Sequence, residues 1–324
     1  VVKVIDGDTV YLRGTGAQIK VRLVCIDAPE SSQAYGNASR KHLSRLIGGQ
    51  AIQLEDRGQD RYGRTLGLIW ANGYDMNWQM IKDGYAWDYD RYTCGRSYQQ
   101  AEQQAREAQI EAALEKVRSR TMAMQHSDEL PEAANVLFLE IQALGIPAWS
   151  CGYNILAADR KSATCIMSSE GAIQKPFKLR LKGETSFDQF GEFVRGEENV
   201  MVQELGGKAL VEHYDFMKSF PDLQPIFEEI EQAGLSLPTY QINHLCKFSQ
   251  GFLLFITYEP VPEAHDIFKR FTAVFEQTYT RFLDLKNMEA QARESRIETA
   301  LERVRARALA MQEPEELKEV VQVL

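Results

Sequence analysis

Apolar residues at 4-3 spacing mark two long stretches of this 324-residue chain. In A-E-Q-Q-A-R-E-A-Q-I-E-A-A-L-E-K-V-R-S-R-T-M-A-M-Q (101–125) they are Ile110, Leu114, Val117 and Met124, with Thr121 between. In E-A-Q-A-R-E-S-R-I-E-T-A-L-E-R-V-R-A-R-A-L-A-M-Q (289–312) they are Ile297, Leu301, Val304, Ala308 and Met311. The stretches are copies at a constant offset: Glu102 aligns with Glu289, Leu114 with Leu301 and Leu137 with Leu324. Neither contains Gly or Pro, and both are rich in Ala, Glu, Arg, Leu and Gln, so each predicts a helix. A seam this narrow suits a partner helix better than a broad core, and predicts a parallel homodimer zipped along both copies.

The remaining pattern divides around these copies. Before the first, V-V-K-V-I-D-G-D-T-V-Y-L predicts two short strands about an Asp-Gly turn. Alternation at 19–26 predicts a half-buried strand that runs into D-A-P-E (27–30), and further strand signals lie at 51–55 and 65–70. Helical signals lie at 38–47, 76–83 and from Tyr98 onward, so the first third reads as a compact α+β unit with a small barrel. Between the copies, an amphipathic helix at 130–147 is stopped by Gly145 and Pro147. Strands follow at 151–157, 164–168, 199–203, 240–247 and 251–258, with helices at 208–219, 223–233 and 264–285. The last helix carries Ile267, Phe271, Phe275, Tyr279 and Phe282 at helical spacing, a stripe that core packing explains.

Composition alters this picture little. The chain is 44% hydrophobic and 26% charged, as in ordinary globular proteins, and no apolar run reaches the roughly 18–20 residues of a membrane span. The net charge of −9 belongs mostly to the residues after 108, so a strongly basic nucleic-acid footprint is absent and phosphate recognition must be local. Val1 is not an initiator, which suggests a trimmed N-terminus. The five cysteines include no C-x-x-C pair and read as free thiols, with a Cys25–Cys94 disulfide left open.

Candidate chemistry concentrates in the first third. Asp6, Asp8, Asp27 and Glu30 fall at strand ends, where a barrel can gather them. Arg22 lies five residues before Asp27 on one strand, and D-R-Y-G-R (60–64) adds Arg61 and Arg64 about a glycine turn. Carboxylates able to hold a hard cation, set among arginines able to fork onto phosphate, suit phosphodiester chemistry. The ordered set D-G-D-T (6–9), V-R-L-V-C-I-D-A-P-E (21–30), Y-G-N-A (35–38), D-R-Y-G-R-T-L-G (60–67) and N-W-Q-M-I-K-D-G-Y-A-W (77–87) resembles the staphylococcal-nuclease (thermonuclease) family. That resemblance implies an OB-type five-stranded barrel with three helices. It implies calcium bound by Asp8, Asp27 and the Ala28 carbonyl, with Glu30 activating water and Arg22 and Arg64 binding phosphate. It also implies bases stacked on Tyr62 and Tyr92, and cleavage of single-stranded DNA or RNA to 3′-phosphate products. Ala28 departs from the family by replacing a hydroxyl residue often found there, a small loss if only its carbonyl binds metal.

The stretch 130–287 carries no such motif. Its helix, antiparallel strands and long exit helix resemble a GAF-type sensor domain, and the E-x-V-R-x-R-x-x-A-M copies resemble signalling helices of bacterial histidine kinases. A small ligand that the sequence does not name is implied. His213, and His244 with Cys246, are candidate metal ligands for which an ordinary core role is the simpler reading. The expected organisation is a nuclease-like domain (1–108), a helical linker (109–129), a GAF-like domain (130–287) and a second coiled-coil linker (288–324). The nuclease family is often exported and such sensors are cytoplasmic, so the compartment stays open, as does an engineered chimaera. The rival reading is a non-enzymatic, dimeric signal-transmission fragment with the nuclease part as a fusion partner.

Overall fold

The computed structural model describes every residue except 15, 90, 92, 93, 170, 171, 233–235 and 310–324, with backbone alone at 127, 229–231, 308 and 309. The chain divides into two compact units, Val1–Ala112 and Ala113–Leu324.

Unit 1 contains strands β1 (Lys3–Val4), β2 (Thr9–Arg13), β3 (Gln18–Leu23), β4 (Ile26–Asp27), β5 (Ile52–Gln59), β6 (Thr65–Ala71), β7 (Tyr74–Asp75) and β8 (Trp87–Asp88). Its helices are α1 (Gly36–Ile47), α2 (Met76–Lys82) and the start of α3 (Arg96–Met122). Five strands run in the order β1-β2-β3-β6-β5, with β7 added on β6. All pairs on that path are antiparallel except β3 with β6, which is parallel. No pairing among the described residues joins β5 back to β1, so the five expected strands form an open path rather than a closed ring. Val10, Val21, Leu23, Ile69, Leu43 and Met80 make its core. Asn77, buried at the start of α2, accepts from Ile69 N and donates to the Val24 and Gly67 carbonyls. One amide thus satisfies backbone groups left over where β3 and β6 diverge.

Unit 2 contains α4 (Leu130–Ala143), β9 (Ala148–Leu156), β10 (Ser162–Ser169), β11 (Ala172–Ile173), β12 (Phe177–Arg180) and α5 (Thr185–Arg195). It continues with β13 (Val200–Gly206), α6 (Gly207–Lys218), α7 (Gln224–Gln232), β14 (Tyr240–Phe248), β15 (Gly251–Thr257) and α8 (His265–Leu309). The antiparallel sheet has the order β11-β10-β9-β15-β14-β13, with β12 beside β10. Side chains alternate between two covered faces. Tyr153 and Phe255 stack on Phe275 and Phe268 of α8, while Ser168 bonds Asn135 of α4. On the other face Cys165, Met167, Leu245 and Phe252 meet Phe187 and Phe190 of α5 and Leu210 of α6. Helices cover both faces, which is why β14 reads as a nearly unbroken buried run.

Three expectations change. β11, β12 and α5 lie where the sequence pattern predicted no element. Cys25 and Cys94 form a disulfide, so the free-thiol reading holds only for the buried Cys151, Cys165 and Cys246. The first heptad seam is not open to a partner helix. Leu114 is 3% and Val117 1% exposed in the single chain, Thr121 is buried with them, and Lys116 and Arg120 of the same helix pair with Glu140, Glu129 and Glu132. Burying this stripe within one chain removes apolar area from water as a dimer would, so the first copy has no need of a second chain. The second copy differs: α8 runs unbroken for 45 residues, about 67 Å at 1.5 Å per residue, and Ile297 and Leu301 are 45% and 47% exposed. Met311 lies outside the described residues.

Candidate active site

The D-G-D-T turn brings β1 to β2 and sets Asp8 beside the end of β3. A Cβ at Gly7 would collide with Ser39 Oγ and Ala28 Cβ, so glycine lets the turn press against α1 and against the D-A-P-E loop. At Cys25 the backbone takes φ 66°, which swings the chain from β3 into Ile26–Asp27. Antiparallel pairing places Thr9 opposite Arg22, and Ala28 N donates to Asp8 Oδ2 at 2.9 Å. Arg22 is the hub: its guanidinium lies 2.8 Å from Asp8 Oδ2 and 2.8 Å from Asp27 Oδ1, and it donates to the Leu23 and Ile26 carbonyls.

Asp8 is only 5% exposed, and burial pushes its carboxyl up to about 7 against the pull of Arg22, with Asp6 adding to the rise. A carboxylate so placed is kept ionised only by positive charge at its oxygens, and Arg22 is the cation that balances it here. Asp8, Asp27 and the Ala28 carbonyl would offer a calcium ion the hard oxygens it takes. The set fits such an ion by donor type, although no cluster of three or more His, Cys, Asp or Glu side chains with metal-binding spacing occurs among the described residues. The third ligand would therefore have to be the backbone oxygen.

Among the described residues, no hydrogen bond or ion pair joins the other expected residues to this cluster. Glu30 is exposed, three residues beyond Asp27, and its backbone N–H donates to Gln33 Oε1 at 2.7 Å. Arg64 immediately precedes Thr65, which pairs with Val21 across the parallel β3–β6 contact, one position from Arg22. Its Nε is held 2.7 Å from Asp60 Oδ2, leaving the terminal nitrogens of the fork outside that bond. Asp60 also accepts from Tyr62 N and Arg64 N, and these bonds hold its carboxyl below the usual carboxylate range even though burial opposes the shift. Sequence reasoning passed over Asp60, although an Asp at the first position of D-R-Y-G-R is a recognisable Asx-turn signal. Tyr62 is exposed, with the Arg61 and Arg64 guanidinia 4.8 and 5.6 Å from its ring centre. Tyr92 lies outside the described residues.

In unit 2, the candidate metal histidines have ordinary partners. His213 is buried against Glu184, and His244 bonds His265 and Thr257.

Residues 20–113 match the family model described as staphylococcal nuclease homologue, a span that starts after the D-G-D-T turn. The chain is 44% identical over 106 residues to an "Uncharacterized endonuclease" of Haemophilus influenzae, covering 32% of this chain and 60% of that protein. It is 41% identical over 101 residues to a "Micrococcal nuclease" of Shigella flexneri, covering 28% and 58%. A "Probable staphylococcal-like nuclease" of Oryza sativa subsp. japonica is 36% identical over 89 residues, covering 28% and 24%. The chain thus spans at most about 60% of the length of these relatives.

Proposed function

We propose that unit 1 is a calcium-dependent phosphodiesterase acting on single-stranded DNA and RNA. The observation that carries this is the convergence of Asp8 and Asp27, from separate turns, on the one guanidinium of Arg22. Asp8, Asp27 and the Ala28 carbonyl would hold the ion, which when bound supplies positive charge against a phosphate oxygen. Arg22 and Arg64 donate to the non-bridging oxygens, whose charge grows as water attacks and the 5′-oxygen leaves. The exposed carboxylate of Glu30 accepts the proton of the attacking water, and the product strand ends in a 3′-phosphate. Tyr62, with Arg61 over its ring, offers a stacking face to an unpaired base.

Cleavage of single-stranded oligonucleotides in calcium, then in chelator, tests this reading. Activity should vanish in chelator and in Asp8→Ala and Asp27→Ala. Undiminished cleavage in both variants would end the assignment.

A second reading concerns unit 2. The exposed Ile297 and Leu301 on α8 favour a homodimer through the second heptad copy. The sheet order, with helices on both faces, supports a GAF-like sensor at 130–287 between linkers 109–129 and 288–324, beside the nuclease at 1–108. In that case the nuclease is a fusion partner or is coupled to the sensor. Nuclease activity that tracks dimerisation would favour coupling.

A further inference from the structure

The helix-covered face of the unit 2 sheet that bears Asn154 and Met167 lines a partly open cavity of about 570 Å³. Volumes from about 300 to 1,000 Å³ are usual for small-molecule sites. Its walls come from strands β9, β10, β12, β14 and β15 and from helices α5, α6 and α7. Every described residue that lines it belongs to unit 2, so a ligand bound there does not depend on the nuclease reading.

The lining has a distinct chemistry. Among the described lining residues there is no Asp, Glu, Lys or Arg, while Phe177, Phe187, Phe190, Phe227 and Phe252 supply broad aromatic surface. The ionisable base of the described lining, His213, is already held by Glu184, so a phosphate or carboxylate would find no free counter-charge and would lose its hydration without replacement. Nucleotides and fatty carboxylates are poor fits on that ground. Most polar groups of the wall are already paired. Tyr214, Gln241 and Asn243 bond in a chain that ends on Gln203, with lengths of 2.7, 3.0 and 3.0 Å, and Ser169 bonds Ser150 and Gln174. The buried Asn154 amide of β9 reaches only the Met167 sulfur, at 3.9 Å, among the described residues. Such a wall suits a ligand that asks for few hydrogen bonds.

We propose that unit 2 binds an uncharged, mainly aromatic or hydrocarbon molecule in this cavity. This gives the sensor reading a ligand class, and it rests on that reading only for the name of sensor. Binding without any effect on nuclease activity would therefore support the site while counting against coupling.

The test uses the full chain and a matched pair of fluorescent probes. N-phenyl-1-naphthylamine is neutral, and 8-anilinonaphthalene-1-sulfonate is the same skeleton with one sulfonate. The neutral probe should saturate at one per chain and bind at least tenfold more tightly than the sulfonate. Met167→Trp, which fills the cavity from β10, should weaken it at least tenfold with the far-ultraviolet circular dichroism retained. Should that variant not fold, Leu254→Trp fills the same space from β15. Equal binding of the matched pair, or neutral-probe binding that survives in a folded cavity-filled variant, would overturn the proposal.

Discussion

Arg64 owes its orientation to a neighbour, Asp60, which ties down both the turn backbone and the guanidinium Nε. If Arg64 donates to the transition state, Arg64→Ala should cut turnover by about 10²–10³, the range for a lost oxyanion donor. Arg64→Lys should recover little, because an ammonium cannot replace a planar fork. Asp60→Ala should cost less than Arg64→Ala, and the double variant should be no worse than Arg64→Ala alone, since both act through one guanidinium. Strictly additive losses in single-turnover assays would separate the two residues. His244 offers a different residue-scale test. Burial, with the neighbouring His265, lowers its pKa from 6.5 to about 4. A lowered folded-state pKa means stability present above the unfolded value and lost as pH falls, so unit 2 should weaken between about pH 6.5 and 4. The unfolding constant should rise by up to about tenfold per pH unit there, and His244→Gln should flatten that slope in denaturant titrations at stepped pH.

At the scale of elements, the two heptad copies have nearly the same sequence but different surroundings. Leu114 is buried on α3 and Leu301 is exposed on α8. Leu114→Ala should therefore cost about 2–5 kcal/mol of unit 2 stability at any protein concentration. Leu301→Glu should leave a single chain within about 0.5 kcal/mol yet abolish any dimer seen by light scattering. If Leu301→Glu instead destabilised the dilute monomer as much as Leu114→Ala, the second seam would also face its own chain. This contrast marks the limit of what the pattern could say. Helix and period were legible: helices were expected at 264–285 and over the second copy, and α8 runs through both as one helix to Leu309. Which surface receives the seam depends on what lies beside it, and Ile110 to Met124 carries no sign of that. Helix α5 was illegible for a related reason, because Gly191 sits within it and argues against a helix. Its Cβ would stand 2.5 Å from the Leu181 carbonyl, so the residue answers to a close approach that sequence spacing does not record. Part of the candidate site was legible: the clustering of Asp8, Asp27 and Arg22 followed from strand ends and one tight turn. The cavity beside Asn154 and Met167 needed five strands and three helices to assemble.

At the scale of the whole molecule, the two units hold their cross-links and candidate ligands separately, and each should answer to its own conditions. The Cys25–Cys94 disulfide closes a separation of 69 residues in unit 1 and fixes the turn that leads into Asp27. In the chain-entropy account a loop of that size contributes about 4 kcal/mol, so reduction should lower the unfolding transition of unit 1 steeply. Unit 2 has only thiols among its cysteines, and burial raises the pKa of all three, Cys246 to about 11. A thiol held protonated is a poor nucleophile, so reductant should leave that transition in place. Calcium at about 100 times its dissociation constant should raise unit 1 by about 2.7 kcal/mol and have no effect on unit 2. N-phenyl-1-naphthylamine should do the reverse. Calorimetry of the full chain with each addition in turn reads all three shifts. A single transition that moves with calcium, reductant and probe alike would show that the units unfold as one, and would make a mechanical link between the cavity and unit 1 the first thing to seek.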